Sequence, residues 1–252
     1  MAEPTYLVID IETVPDRQLH TPAEPSPGLE RPFPPLYACK PVVIGAMWLS
    51  ESLGLKRLCA VGDGKDEAGI LSDFADFMTA RRPHLVTWNG RGFDLPVLTL
   101  RSLRYGISWP WYYRDRDYRY RYSEEGHLDL CDFLSDHGAA RMTPLDGVSR
   151  LIGLPGKDGI DGSQVEGLFN AGQTEALRRY CLSDVTQTAF VFLRYRLLVG
   201  ALDLEGYRRV ASDLLAAVAA DPCVSRIAEG VDRQRLLLTS ETPGQQLSVG
   251  GG

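Results

Sequence analysis

The chain has 252 residues, 44% of them hydrophobic and 24% charged, with 33 acidic against 27 basic side chains for a formal net charge of −6. That composition fits one sizeable α/β domain, and the acidic balance excludes a protein that coats nucleic acid through a global positive field, though not one with a local basic groove. No run of about 18 apolar residues is present, so no transmembrane helix is expected; the N-terminus MAEPTYLVIDIE lacks a basic stretch followed by an apolar one, so no secretory leader is expected and a cytoplasmic location follows.

The stretch YLVIDIETVPD, residues 6–16, reads as a buried strand. Residues 20–41, HTPAEPSPGLERPFPPLYACKP, are rich in proline, which cannot donate to a ladder, and are expected to loop over the surface. PVVIGAMWLS (41–50) and LKRLCAVG (55–62) then form a hairpin beside the first strand. Between 65 and 82 the period changes: Ala68, Leu71, Phe74, Ala75 and Met78 make a helical stripe. HLVTW, 84–88, follows as a strand reached by a right-handed crossover, hence parallel. Helices are expected at 94–105, around 130–136, 143–152, 174–199 and 203–220, and the polar, glycine-rich tail from Thr239 is expected to be disordered. Five cysteines (Cys39, Cys59, Cys131, Cys181, Cys223) include no CxxC pair and no zinc-spaced set, and read as reduced, mostly buried thiols.

Three elements carry acids in places that need a reason. Side chains at i and i+2 of a strand share a face, so Asp10 and Glu12 lie side by side, which is costly unless a cation or a proton neutralises them. Two exposed acids at a strand end are the plainer alternative. On the 174–199 helix the apolar stripe runs Leu177, Cys181, Val185, Thr188, Phe192, Tyr195; Tyr180 and Asp184 fall on or beside it, away from a polar side with Arg178, Arg179 and Gln187. A carboxylate facing a core must be paired or hold a metal, and at i and i+4, about 5 to 6 Å apart at Cβ, Tyr180 and Asp184 can act on one point. The alternative is a packed tyrosine with a partly solvated aspartate. In TWNGRGFDLPVL, 87–98, Asp94 opens a helix after a strand-to-helix turn, where an N-cap is the ordinary role.

Taken in order, Asp10-x-Glu12, Asn89 with Phe93-Asp94, and Tyr180-x3-Asp184 resemble the DEDD exonucleases of the DnaQ-like, ribonuclease H-like superfamily, most of all the 3′–5′ exonucleases akin to the exonuclease domain of family B DNA polymerases. The resemblance spans residues 6 to about 195 and is to the tyrosine subclass, since the histidine variant needs His where Arg179 stands. It implies an α/β fold with a mixed sheet flanked by helices, in a single exonuclease domain over residues 1–238 followed by the tail at 239–252. It also implies two divalent cations, Mg²⁺ or Mn²⁺, suited to hard carboxylates. In that scheme Asp10 bridges both, Glu12 and Asp184 help hold the one carrying the attacking water, Asp94 supports the other, and Tyr180 orients the water. The implied substrate is a single-stranded nucleic acid 3′ end, DNA ahead of RNA, cut to nucleoside 5′-monophosphates. No membrane partner is implied, and association with replication or repair proteins is left open.

Substrate contacts are expected at Asn89 and Phe93 and in two further stretches. In WPWYYRDRDYRYRY, 109–122, aromatic faces can stack on bases at about 1 to 3 kcal/mol each while arginines meet phosphates; the alternative is a ribbon whose tyrosines pack and whose Arg114, Arg116, Asp115 and Asp117 pair in solvent. Arg119 and Arg121, with no acid beside them in sequence, are the expected contacts. Lys157, in GLPGKDGIDGSQV (153–165), resembles a family loop lysine facing a phosphate; a Walker loop is excluded because Leu151 and Asp158 stand where Gly and Ser or Thr are required. HLDLCDFLS, 127–135, resembles the family's HxDL segment, with Asp129 either a supporting or substrate-side group or simply a helix start. Two other functions stand beside this one. A haloacid-dehalogenase phosphatase needs a second Asp where Glu12 stands, and a catalytically inactive nucleic-acid-binding protein on the same fold is expected to have lost one of the acids.

Overall fold

A computed structural model of the chain describes residues 5–21, 33–156 and 162–239. Its centre is a five-stranded mixed sheet of order β3-β2-β1-β4-β5. Strand β1 (Tyr6–Pro15) pairs antiparallel with β2 (Cys39–Leu49), which pairs antiparallel with β3 (Leu55–Ala60). On the other side of β1, β4 (His84–Thr87) and then β5 (His127–Asp129) add in parallel. The meander followed by a crossover through α1 (Glu67–Arg81) is the arrangement expected from the sequence. Asp66 caps α1 by accepting from the Gly69 N–H at 2.9 Å, and the backbone leaves it through Arg82 in the left-handed region.

Pleating divides β1 between two cores. Leu7, Ile9 and Ile11 face α1 and α2 (Asp94–Tyr105), together with Phe74, Met78, Leu95 and Leu98. Val8 faces the opposite layer, where α8 (Thr174–Leu198) and α9 (Leu204–Ala220) pack through Val185, Ala189, Phe190 and Leu214. Asp10 and Glu12 share the parity of Val8, so they point towards α8. The remaining helices are short: α3 (Pro110–Tyr113), α4 (Arg116–Arg119), α5 (Leu130–Leu134), α6 (Leu145–Leu151), α7 (Val165–Asn170), α10 (Ser225–Glu229) and α11 (Arg233–Leu236). Among the described residues no helix is long and apolar enough to cross a membrane.

Three expectations need correction. The proline-rich loop does not run to residue 41: a 3₁₀ turn occupies Leu36–Ala38 and β2 begins at Cys39. Pro41 is tolerated inside β2 because it sits at a bulge, where the register passes from Glu12↔Val43 to Thr13↔Pro41. Gln187 does not lie on a polar side of α8; it is 1% exposed, because α8 is covered by the sheet on one face and by α6 and α9 on others. Segment 109–122 is not one ribbon: Trp109, Trp111 and Tyr118 are core, whereas Tyr113, Tyr120 and Tyr122 are exposed. Residues 22–32, Lys157 and the tail beyond Thr239 lie outside the described residues.

Candidate active site

The face of β1 that carries Val8 changes chemistry two residues on, at Asp10 and Glu12. Glu12 is buried and Asp10 partly so. Opposite Asp10 on β2 stands Gly45, and a Cβ there would lie 2.8 Å from Cys181 Sγ and 2.9 Å from Val185 Cγ2. The missing side chain therefore lets α8 lie directly on the strand pair. Cys181 consequently reaches β1, its thiol 3.4 Å from the Asp10 carbonyl oxygen and 3.7 Å from Asp10 Oδ2. One residue before Cys181 and three after it on α8, Tyr180 and Asp184 are also buried, and both line one cavity.

The fourth acid arrives from the β4–α2 turn. Phe93 is the N-cap without a side-chain bond, so Asp94 is the first helical residue instead of the cap. Its buried carboxylate accepts the N–H of Ile11 on β1, which fixes it beside the strand end. Burial pushes Asp94 up to about 7, with the charge of Asp129 adding to the rise and the N–H groups of Asp94 itself and Ile11 opposing it. Asp10 is held well above the usual carboxylate range, first by burial and then by the charges of Asp94, Glu12 and Asp184 in turn. The other three acids thus all act on Asp10.

The turn carrying Asn89 is itself held by a carboxylate. Asp129, at the end of β5, accepts the N–H groups of Asn89 and Arg91, each at 2.8 Å, and also caps α5 through the Asp132 N–H. Asn89 takes φ 62°, a conformation asparagine tolerates. At Gly90 a Cβ would lie 2.5 Å from the Thr87 side chain, so only glycine fits there. Arg91 reaches across to the carbonyls of Tyr118, Arg119, Tyr120 and His127, tying the aromatic segment to the same turn. Phe93 meets exposed Phe33 edge to face at 5.5 Å.

The two arginines expected to meet substrate are differently placed. Arg119 is exposed and lies over the Tyr113 ring at 5.2 Å. Arg121 forks onto Asp132, Nε to Oδ2 at 2.8 Å, and donates to the His137 carbonyl. Its freedom from acids in the sequence thus ends eleven residues along, at Asp132, where the fold brings one. Sequence reasoning also missed Arg91 and Arg101, whose partners are all distant in the chain.

The donor set suits a hard divalent cation. Ligand atoms of Asp10, Glu12 and Cys181 lie within 4.8 Å of one another. Burial and the neighbouring carboxylates push the Cys181 thiol well up, so it stays protonated and the effective donors are carboxylate oxygens.

Among curated proteins none matches this chain. Of solved structures, the family B DNA polymerase from the hyperthermophilic archaeon Pyrobaculum calidifontis is similar, at 19% identity and a TM-score of 0.54, over 94% of this chain and 28% of the polymerase chain. At that identity the likeness establishes the fold, an α/β mixed sheet of the ribonuclease H-like type, in a chain that spans less than a third of the polymerase. A family model matches residues 31–228, enough of the sequence to assign membership. The chain belongs to the family of predicted 3′–5′ exonucleases related to the exonuclease domain of PolB.

Proposed function

We propose that the protein is a metal-dependent exonuclease that hydrolyses the terminal phosphodiester at the 3′ end of single-stranded nucleic acid, DNA ahead of RNA, and releases nucleoside 5′-monophosphates. The observation that carries this reading is the convergence of Glu12, Asp94 and Asp184 on Asp10, from one strand and two helices, with Asp184 and Tyr180 also lining a cavity. Such a cluster is unfavourable in a metal-free protein and favourable around divalent cations.

Asp10, Glu12, Asp94 and Asp184 are the groups that would hold two cations, Mg²⁺ or Mn²⁺. When bound, these supply charge neutralisation for the attacking and leaving oxygens of an in-line displacement. Tyr180, one turn before Asp184 on the same helix face, hydrogen-bonds and orients the attacking water. Asn89 and Phe93, beside Asp94, position the terminal nucleotide, and Arg119, Arg121 and Lys157 are proposed as outer contacts to the strand. A cytoplasmic setting and association with replication or repair proteins belong to the same reading.

The test uses oligonucleotides labelled at either end, with Mg²⁺ or Mn²⁺. Mononucleotides are expected to leave from the 3′ end, and Asp10→Asn or Asp184→Asn to lower the rate by more than about 100-fold, since even groups that only orient metal ligands are worth 10–100-fold. Full activity in both variants, or digestion from the 5′ end, sinks the proposal.

A further inference from the structure

The segment between α2 and β5 is built in two layers. Trp109, Trp111 and Tyr118 are buried in the core with Phe74, and the Tyr118 hydroxyl donates to the Pro83 carbonyl at 2.7 Å. Their neighbours Tyr113, Tyr120 and Tyr122 are 55%, 45% and 60% exposed. The buried rings anchor the backbone from which the exposed ones stand. Arg91 fixes that backbone further by donating to the carbonyls of Tyr118, Arg119 and Tyr120.

The outer side chains form one run. Arg119 lies over the Tyr113 ring at 5.2 Å, Arg116 lies over the Tyr120 ring at 5.1 Å, and Tyr122 meets Tyr120 edge to face at 5.9 Å. Arg116 and Arg119, three residues apart on α4, are neighbours on the helix surface and join the two pairs. Charge in this stretch is unbalanced. Asp115 is taken by Arg82, and Arg121 by Asp132, which leaves exposed Arg114, Arg116 and Arg119 facing Asp117 alone. Among the described residues those three arginines make no ion pair. Flat rings that can stack on bases, interleaved with free guanidinium groups that can meet phosphates, are the chemistry of a single-strand site. A duplex offers the phosphates but keeps its base faces covered.

We propose that this surface is a second nucleic-acid site, outside the cavity lined by Tyr180 and Asp184, in which Tyr113, Tyr120 and Tyr122 stack on successive bases of a single strand while Arg114, Arg116 and Arg119 meet its phosphates. The proposal rests on the exonuclease reading for one point: the strand held here is the substrate, upstream of the 3′ end at the acids. Arg91 belongs to the turn that presents Asp94 and also grips the Tyr118 to Tyr120 backbone, so the outer surface and the turn are one rigid piece. With three phosphates contacted, log K against log salt has a slope of about −2, at about −0.7 for each contact on a single strand.

Binding is measured by fluorescence anisotropy on the intact protein in EDTA, with a fifteen-nucleotide thymidine strand, an abasic strand of the same length, and polyglutamate. The thymidine strand is expected to bind at least about 10-fold more tightly than the abasic one, which keeps the phosphates and lacks the base faces. Tyr113→Leu with Tyr120→Leu is expected to remove that preference, whereas Tyr113→Phe with Tyr120→Phe, which retains the flat rings, keeps it. With Mg²⁺ restored, kcat/KM is expected to be higher for this strand than for a thymidine trinucleotide, and the leucine variant to lose the difference. Equal binding of the two strands, or an unchanged preference in the leucine variant, overturns the proposal. So does binding of polyglutamate without binding of the thymidine strand, which would make the surface a site for an acidic protein segment. Cleavage with no effect of length overturns it while leaving the exonuclease reading standing; ring-dependent binding in EDTA with no cleavage of any strand removes the exonuclease reading and leaves the second site.

Discussion

At the scale of single residues, the largest energetic consequence outside the acid cluster belongs to Arg101. It is buried between Glu67, at 2.5 Å, and Asp16, at 2.8 Å, and donates to the Tyr37 carbonyl as well. Asp16 also takes Arg104 at 2.7 Å, and the two arginines hold its carboxyl below the usual range against the opposing effect of burial. This knot joins the end of β1 to α1 and α2, the elements that bring Glu12 and Asp94 together. Removing the cation strands two buried carboxylates, so Arg101→Ala is expected to cost about 3–5 kcal/mol, as for other broken buried pairs. Urea unfolding at constant m-value measures it; a loss below about 1 kcal/mol would show that water enters and resolvates the acids.

At the scale of elements, everything depends on how closely α8 lies on the β1–β2 pair. Gly45→Ala places a methyl group 2.8 Å from Cys181 Sγ and 2.9 Å from Val185 Cγ2, so either the helix or the strand must shift. The expected stability loss is about 1–3 kcal/mol, the usual range for overpacking. Activity and the Mg²⁺ concentration needed for half-maximal rate are expected to suffer more than stability, because the shift carries Asp184 away from Asp10. Cys181→Ala in the same chain should recover part of the loss, and failure to do so would place the clash elsewhere.

The elements also show what can be read from a one-dimensional string. Strand β1 and its acids were legible because period-2 burial and an abrupt switch to charge both lie within eleven residues. Strand β5 was not: three residues are too few to display a period, and His127 reads as polar although it is fully buried against Thr87. The partners of Arg91, Arg101 and Arg121 were illegible for another reason. A guanidinium meets whatever the topology brings, and its nearest acids in the sequence say nothing about that. Gln187 was misplaced because the 3.6-residue stripe assumes one buried face, whereas α8 is enclosed on several.

At the scale of the whole molecule, a net charge of −6 with three acids acting on Asp10 makes the metal-free protein sensitive to pH in an unusual direction. Asp94 is raised from 3.8 to about 7, and Asp10 is raised too. Between those two values the folded chain holds protons that the unfolded chain has already released. Their contribution to stability is therefore full below about pH 4 and is lost as pH rises towards 7. Divalent cations replace the protons, so the rise in Tm produced by Mg²⁺ is expected to grow from pH 5 to pH 8. Asp94→Asn should flatten that growth, and an Mg²⁺ effect independent of pH would mean that the cations bind elsewhere. The position of Asp184 has a consequence in time as well. Asp10 enters the chain near its start, while Asp184 follows only after all five strands and seven of the helices. Long loop closures are costly to form early, and bringing α8 onto β1 sets like charges together, so docking is expected as a late step in folding. In refolding experiments the recovery of nuclease activity should lag behind the recovery of helical circular dichroism, with added Mg²⁺ shortening the lag.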